Sequence, residues 1–422
     1  MSENWLGETF EIDLGKPGHG GFVVGRHEGR VVFVRHGLPG ERVVARVTED
    51  RGGSFCRADA VEIVSASADR VPPLCPQSGP HGAGCCDYSH ASLPAQRAMK
   101  SAVVEELLSR IGGTDRTVSV EELPGTGNGS GWRTRVRLAV DANGRPGFHR
   151  HRSAEIETDL SCPQMVPDAY VGLRDMDFRP GAEVAIVMDS AGDRHVVEIA
   201  PPKMSKAGRA GGGRRGATAR RAARGGVRAE RVVSGTGRPV EYVGDRAWTL
   251  SATGFWQAHR GAASAYSNLV AEWARVSSGD VAWDLYGGVG VFASALADRV
   301  GVDGLVESVE YSVGAVADGR ASLSGLSQVR FHAGRVERAL GELQAGATVA
   351  VLDPPRAGAG RDVVHAVSAS DVPRVVHVGC DPASFARDLA LYREFGYEVE
   401  QVRAFDAFPL THHVECMALL TR

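Results

Sequence analysis

The chain has 422 residues, of which 43% are hydrophobic and 23% are charged, and its formal net charge is −3. This composition excludes a disordered or fibrous protein and supplies enough apolar residues for two or three domains. Because the net charge is small, any affinity for nucleic acid must come from local basic patches. With no apolar run approaching the roughly 20 residues of a membrane span and no secretory pattern at the amino terminus, we expect a cytoplasmic, monomeric protein without membrane contact.

The N-terminal part, residues 1–66, is predicted to form a small β-barrel. Short β segments follow one another between Phe10 and Val64, separated by Gly, Pro and Asp turns; they are FEIDL, GFVVGR, RVVFVR, ERVVARV and ADAVEIV. Short strands at this spacing are typical of OB-like barrels.

Residues 67–250 are predicted to form a central α+β domain. A segment rich in Pro, Gly and Cys comes first, and a helical pattern then begins at Ser92 and ends before Gly112. Two hairpins follow, one turning at Asn143-Gly144 and one within residues 190–193.

A basic insertion interrupts the central domain at about residues 203–231. It is rich in Gly, Ala and Arg, a composition typical of flexible segments. Such a run favours phosphate binding at low salt, although Arg-rich linkers often contact nothing.

The C-terminal part, residues 251–422, is predicted to form a Rossmann-like domain. Helical patterns alternate with the apolar segments VAWDLY, GLVESVE, VRFHA, TVAVLD, RVVHVG, YEVEQVRAF and VECMALL. This alternation indicates a mostly parallel sheet covered on both faces, which binds ligands at the carboxyl ends of its strands.

The first of these strand ends has the features of a cofactor site. Residues 284–290 read Asp-Leu-Tyr-Gly-Gly-Val-Gly, and glycines in a strand-to-helix turn let the backbone approach a ligand closely. Glu310 ends the next strand, where a carboxylate can accept both ribose hydroxyls. The pair favours an adenosine-containing cofactor; the alternative is a tight turn beside a solvated carboxylate.

Three further strand ends carry reactive side chains. Asp353 begins an Asp-Pro-Pro-Arg sequence after the fourth strand, and Cys380 follows the fifth, just before a helix. A helix amino terminus lowers the pKa of a thiol, so we expect a thiolate at Cys380, with a buried packing cysteine as the alternative. Before the final strand, Glu415 is a candidate base, and His412 and His413 either join it or shape the loop.

At this point the sequence resembles the RNA (uracil-5)-methyltransferase family. The motifs that carry the resemblance are GFWQAH (254–259), DLYGGVG (284–290), VLDPPRAGAG (351–360), HVGCDPASFARDL (377–389) and FPLTHHVECMALL (408–420). The N-terminal barrel is similar to the TRAM domain, an RNA-binding module. One departure is Asp381, which stands where the family usually has Asn.

The resemblance implies an S-adenosylmethionine-dependent enzyme that makes 5-methyluridine in RNA. It places Gln257, Tyr286, Glu310 and Asp353 at the cofactor and Cys380 as nucleophile. A thiolate that adds to carbon 6 of uracil turns carbon 5 into a nucleophile. After methyl transfer a base must remove the proton from carbon 5, and the resemblance gives this role to Glu415. The target base is expected to be flipped out of its stack.

The remaining cysteines divide into two groups. Cys56 and Cys416 fit strand positions and are expected to pack. Many relatives carry a four-cysteine iron–sulfur cluster, and the resemblance implies a 4Fe-4S site with ligands at Cys75, Cys85, Cys86 and Cys162, with zinc or no metal as alternatives.

Three functions remain open from the sequence. The first is uridine-5 methylation of RNA, with ribosomal RNA favoured over transfer RNA as the partner. The second is a non-catalytic RNA-binding protein with a redox-sensitive cluster, which would need neither Cys380 nor Glu415. The third is cytosine-5 methylation of RNA, which shares the thiolate chemistry.

Overall fold

A computed structural model describes residues 4–202 and 228–422. Most of the predicted basic insertion, residues 203–227, therefore lies outside the described residues. Within residues 4–202 and 228–422, no helix combines the length and apolar character needed to cross a membrane.

The N-terminal strands close into the predicted barrel, in the order β1-β2-β3-β5-β4. The strand bounds are β1 Thr9–Gly18, β2 Phe22–His27, β3 Arg30–Arg35, β4 Arg42–Asp50 and β5 Phe55–Ser65. Alternate side chains point inward and fill the barrel, among them Val23, Val32 and Cys56. The expectation that Cys56 is a packing residue is confirmed.

The helix predicted after the cysteine-rich segment is α1, Leu93–Arg110, capped by the Ser92 side chain. It is followed by the short strand β6, Val120–Glu122. The domain prediction assigns both elements to the central domain. In the structure, however, β6 pairs in parallel with a strand near the carboxyl terminus. Val104 and Leu108 of α1 pack in the core of the C-terminal sheet. Their apolar side chains cover a sheet face and edge that the C-terminal segment alone leaves open.

The central domain is built on a six-stranded sheet of order β12-β11-β10-β7-β8-β9. Its strands are β7 Arg135–Val140, β8 Pro146–His149, β9 Ile156–Glu157, β10 Glu183–Met188, β11 Arg194–Ile199 and β12 Glu230–Ser234. A 3-10 turn, Leu173–Asp175, packs against it. Both predicted hairpins are present, as β7–β8 and β10–β11. A separate hairpin, β13 Val240–Val243 and β14 Arg246–Thr249, leads into the C-terminal domain.

The C-terminal domain contains an eight-stranded sheet of order β17-β16-β15-β18-β19-β21-β20-β6. Its strands are β15 Val281–Leu285, β16 Leu305–Glu310, β17 Val329–Ala333, β18 Ala347–Leu352, β19 Arg374–Gly379, β20 Glu398–Asp406 and β21 Glu415–Thr421. The strands from β17 to β19 are parallel, and β21 is antiparallel to both its neighbours. The predicted mostly parallel sheet is confirmed.

Helices cover both faces of this sheet. They are α2 Ala262–Ala274, α3 Val291–Val300, α4 Val313–Ser322, α5 Val336–Ala339, α6 Gly360–Ala369 and α7 Pro382–Glu394. One apolar core lies under α1, α6 and α7, and a second lies under α2 and α3. The chain order reverses beside β15, whose neighbours are β16 and β18, and ligands bind at such a switch point in open α/β sheets.

Candidate active site

The turn after β15 forms one wall of a pocket at this switch point. Tyr286 has a φ of 64°, and Gly288 and Gly290 have φ values of 57° and 81°. Glycine adopts these angles without strain, whereas a tyrosine does so at a cost that is typical of functional sites. The turn therefore runs directly into α3.

Below the turn, Asp284 is a buried carboxyl group. Its Oδ2 atom accepts hydrogen bonds from the Ser308 hydroxyl and the Ala293 amide, both at 3.1 Å. Burial raises the pKa of Asp284 to about 7. A Cβ on Gly287 would stand 2.2 Å from Ser308 Oγ and 2.5 Å from Asp284 Oδ2, so the glycine there lets the backbone lie directly on this pair.

The pocket above the turn has about 490 Å³ of empty volume, part of which is open to solvent. Three of the predicted cofactor residues line it: Gln257, Tyr286 and Asp353. Aromatic side chains form much of the remaining wall, from Phe255, Trp256, Tyr266 and Phe292. A mostly apolar pocket with a few polar groups is the usual form of a small-molecule site.

Glu310 lies beside this pocket, at the end of β16. Its Oε2 atom accepts a hydrogen bond of 3.2 Å from the Gly288 amide, and its Oε1 atom accepts one of 2.6 Å from the Ser312 amide. The carboxylate is thereby fixed against the glycine turn, at the strand end where a ribose would lie.

A cluster of acidic groups lies where β18, β19 and β21 meet. Glu415 is only 3% exposed, and burial together with the neighbouring charge of Asp353 raises its pKa well above the ordinary value. Burial also raises the pKa of Asp353. The positive charge of Arg356 opposes the shift at Glu415. Two carboxyl groups that both resist ionisation can share a proton near neutral pH.

Cys380 belongs to the same cluster, and its protonation differs from the prediction. Burial, with the charges of Glu415 and Asp353, raises the pKa of the Cys380 thiol to about 12. The expectation of a resting thiolate is therefore wrong, because the carboxyl groups outweigh both Arg356 and the helix amino terminus. Half-buried Cys380 is a thiol in the free protein, and its activation requires removal of a proton.

The loop between β20 and β21 carries the two histidines. His412 Nδ1 lies 2.5 Å from Oδ2 of the buried Asp87. His413 is placed against the His412 ring, at 4.1 Å between centroids, and burial lowers its pKa to about 3. Thus His412 binds the cysteine-rich segment, and His413 is neutral at physiological pH.

Sequence reasoning missed a buried ion pair that anchors this loop. Lys100 Nζ of α1 lies 2.5 Å from Asp406 Oδ1 and 3.1 Å from the Phe408 carbonyl oxygen. Both charged side chains are fully buried. The signal in the sequence is a lysine on the helix face that also carries Val104 and Leu108, and it does not name the partner.

The four cysteines that were predicted to bind a cluster lie near one another. Cys85 and Cys86 have sulfurs 4.0 Å apart. Hydrogen bonding to Cys86 lowers the pKa of both Cys75 and Cys85. Burial raises the pKa of Cys162, and the charges of the nearby Cys85 and Cys75 raise it further. As these side chains stand, the described part of the chain contains no group of three or more His, Cys, Asp or Glu residues placed to hold a metal ion.

Comparison with known proteins gives consistent results. A family model described as TRAM domain matches residues 5–61, and one described as tRNA (Uracil-5-)-methyltransferase matches residues 335–422. A Corynebacterium glutamicum protein named uncharacterized RNA methyltransferase is 41% identical over 428 residues, covering 99% of this chain and 97% of that protein. A protein of the same description from Streptomyces coelicolor is 42% identical over 445 residues, covering 98% and 93%.

A solved structure shares the fold over nearly the whole length. It is that of Pyrococcus abyssi tRNA (uracil-54, C5)-methyltransferase in complex with S-adenosyl-L-homocysteine, with a TM-score of 0.69 and 19% identity. The match covers 97% of this chain and 99% of the other. At this identity the likeness establishes the three-part architecture.

Proposed function

Because the chain belongs to the tRNA (uracil-5-)-methyltransferase family of RNA methyltransferases, we propose that it transfers a methyl group from S-adenosylmethionine to carbon 5 of a uridine in structured RNA. One observation carries the proposal: Cys380, Asp353 and Glu415 form one electrostatic cluster, and Asp353 also lines the adjoining pocket. The proposal thus sets the nucleophile and the base in one cluster with Asp353, which also lines the pocket.

S-adenosylmethionine, when bound, supplies an electrophilic methyl group. Gln257, Tyr286 and Glu310 are the side chains that we propose to orient it, with the Asp353 carboxyl group at the reacting end. The glycine turn and the aromatic walls would limit the access of water to the methyl group.

The protein's own residues then act on the uracil. The Cys380 thiol gives its proton to the carboxyl cluster, which passes it to solvent, and the sulfur forms a bond to carbon 6 while the electrons of the 5,6 double bond move onto carbon 5 and the carbonyl at carbon 4. Carbon 5 then takes the methyl group, and S-adenosylhomocysteine is the leaving group. Glu415, ionised again, removes the remaining proton from carbon 5; the double bond re-forms, the sulfur–carbon bond breaks, and the expelled thiolate takes up a proton from the cluster.

Two variants test these roles. Cys380→Ala is expected to bind cofactor and RNA and to transfer no methyl group. Glu415→Gln is expected to form the bond to carbon 6 and accept the methyl group, and then to retain the carbon 5 proton. A methylated protein–RNA adduct that survives denaturing electrophoresis should therefore accumulate with radiolabelled cofactor.

The double variant and a remote substitution are the controls. The adduct must be absent from the double variant, Cys380→Ala with Glu415→Gln. Glu398→Gln, an exposed change at the start of β20, should turn over normally. Turnover of Glu415→Gln at the wild-type rate would show that another group is the base. Retention of methyl transfer by Cys380→Ala would remove the nucleophile assignment. Absence of methyl transfer by the wild-type protein would favour the non-catalytic alternative, and 5-methylcytidine as the product would favour the cytosine-directed one.

The identity of the RNA is the finer part of the proposal. The sequence-based prediction favours ribosomal RNA, whereas the matching family model and the archaeal structure are named for transfer RNA. Nucleoside mapping of both RNA classes from a deletion strain decides between them. The protein is proposed to act in the cytoplasm, where both RNAs occur.

We further propose that Cys75, Cys85, Cys86 and Cys162 bind an iron–sulfur cluster. In such a cluster each cysteine binds a different iron, so the four sulfurs need not converge on one point as they must around a single zinc ion. Cys162→Ser protein purified without oxygen should lose iron and visible absorbance, whereas Cys56→Ala, a change in the barrel core, should keep them. Wild-type protein without iron would refute the cluster.

A further inference from the structure

The tip of the first barrel hairpin contacts the short loop between β19 and α7, which consists of Cys380 and Asp381. β1 ends at Gly18 and β2 begins at Phe22, and between them His19 Nε2 lies 3.0 Å from Oδ2 of Asp381. These two residues are 362 positions apart in the chain. Asp381 directly follows Cys380, so the barrel contacts the residue next to the proposed nucleophile.

Asp381 joins this contact to the helix that follows. Its Oδ1 atom accepts a hydrogen bond of 2.9 Å from the Ser384 amide and so caps α7. Burial of the carboxyl group is outweighed by the hydrogen bonds from His19 and Ser384, which keep the pKa of Asp381 below its ordinary value. A carboxylate with one oxygen on the helix and the other on the barrel has little freedom to rotate, and it limits the freedom of Cys380 as well.

The same hairpin tip also packs against the loop that leads to Glu415. A Cβ on Gly21 would stand 2.4 Å from Asp87 Oδ2 and 3.2 Å from His412 Nδ1. Gly21 also has a φ of +83°, so the position requires glycine for both its backbone angle and its neighbours. One turn of the barrel therefore touches both the loop that carries Cys380 and the loop that leads to Glu415.

We propose that His19 is a positioning residue for the nucleophile, acting through Asp381 to hold Cys380 in the geometry from which it attacks carbon 6. The proposal rests on the proposed function of Cys380. It makes the barrel a structural part of the active site, in addition to any role in RNA binding. The family usually carries Asn where this chain has Asp381, and the carboxylate supplies the negative charge that a histidine partner favours.

The test separates adduct formation from RNA binding. RNA containing 5-fluorouridine traps the covalent adduct because a base cannot remove fluorine from carbon 5. With this RNA and the cofactor both saturating, His19→Ala should form the adduct at least about fivefold more slowly than wild type, since a small displacement of a nucleophile costs more rate than the lost hydrogen bond alone. RNA affinity should change less than the rate, and His19→Gln, which can still donate a hydrogen bond, should restore part of the rate.

Lys16→Ala is the matched control. Lys16 also joins the barrel to the body of the protein, but through Glu106 of α1, at 3.2 Å. Its loss should leave the rate of adduct formation unchanged. Melting curves check that each variant is folded.

A double-mutant cycle tests whether His19 acts through Asp381. Serine at position 381 can still cap α7 but is too short to reach His19. In Asp381→Ser protein, the additional change His19→Ala should have almost no effect on the rate. Independent effects of the two changes, or an unchanged saturated rate in His19→Ala protein, would overturn the inference. If wild-type protein itself formed neither adduct nor 5-methyluridine, the proposed function would be what fails.

Discussion

Replacement of Lys100 by methionine should strongly destabilise the C-terminal domain. Lys100 and Asp406 form an ion pair in which both side chains are 0% exposed. Burial lowers the pKa of Lys100, and the charge of Asp406 opposes that shift. The ammonium group also donates to the Phe408 carbonyl, at the start of the loop that ends at Glu415.

The expected cost follows from the charge left behind. Lys100→Met keeps most of the side-chain volume, so little cavity energy is involved, but Asp406 becomes an unpaired buried carboxylate. Breaking a buried pair in this way costs about 3–5 kcal/mol. Replacing both members, as in Lys100→Met with Asp406→Leu, should recover most of this loss because no buried charge remains.

Denaturant unfolding followed by tryptophan fluorescence measures the difference. The exposed control Lys16→Met should stay within about 0.5 kcal/mol of wild type. We also expect methyl transfer to fall in Lys100→Met protein that is still folded, since the loop before Glu415 loses an anchor. Wild-type stability in Lys100→Met, or a double variant less stable than the single one, would refute the reasoning.

Three further predictions concern the active-site edge of the sheet. Glu415→Gln should lower the pKa of Cys380, because ionised Glu415 is one of the charges that raise it. The rate at which iodoacetamide alkylates Cys380 should then rise at lower pH than in wild type, and an equal or higher pH would contradict this. Asp284 has a pKa raised to about 7 in the folded protein, so its contribution to stability is fully present below pH 4 and is lost as pH rises to 7. The loss of stability over this pH range amounts to about 4 kcal/mol at most. Asp284→Asn should reduce it when the free energy of unfolding is measured from pH 4 to pH 7. Gly290→Ala should lower the melting temperature, since its φ is +81° and a Cβ would stand 2.7 Å from the Phe331 ring; an unchanged melting curve would exclude the clash.

Local patterns in the sequence determined the elements and the order of the motifs. The five strands of the barrel, the capped helix after Ser92 and the strands that carry Asp353 and Cys380 all follow from apolar periodicity and from turn or cap residues a few positions away. Parallel strands with ligand sites at their carboxyl ends then bring the proposed cofactor residues to one edge. For this reason Tyr286 and Asp353 were predictable as neighbours, whereas Gln257 lies outside the sheet and was assigned to the site only through the family resemblance.

Only the tertiary structure decided the features that depend on residues far apart in the chain. The partner of Lys100 is 306 residues away and that of His19 is 362 residues away, and no local pattern encodes such pairs. The pKa of Cys380 was misjudged for the same reason: the helix amino terminus is visible in the sequence, whereas the opposing carboxyl groups arrive from two other strands. Periodicity predicts which residues are buried, and only the packed fold determines which charges are buried together.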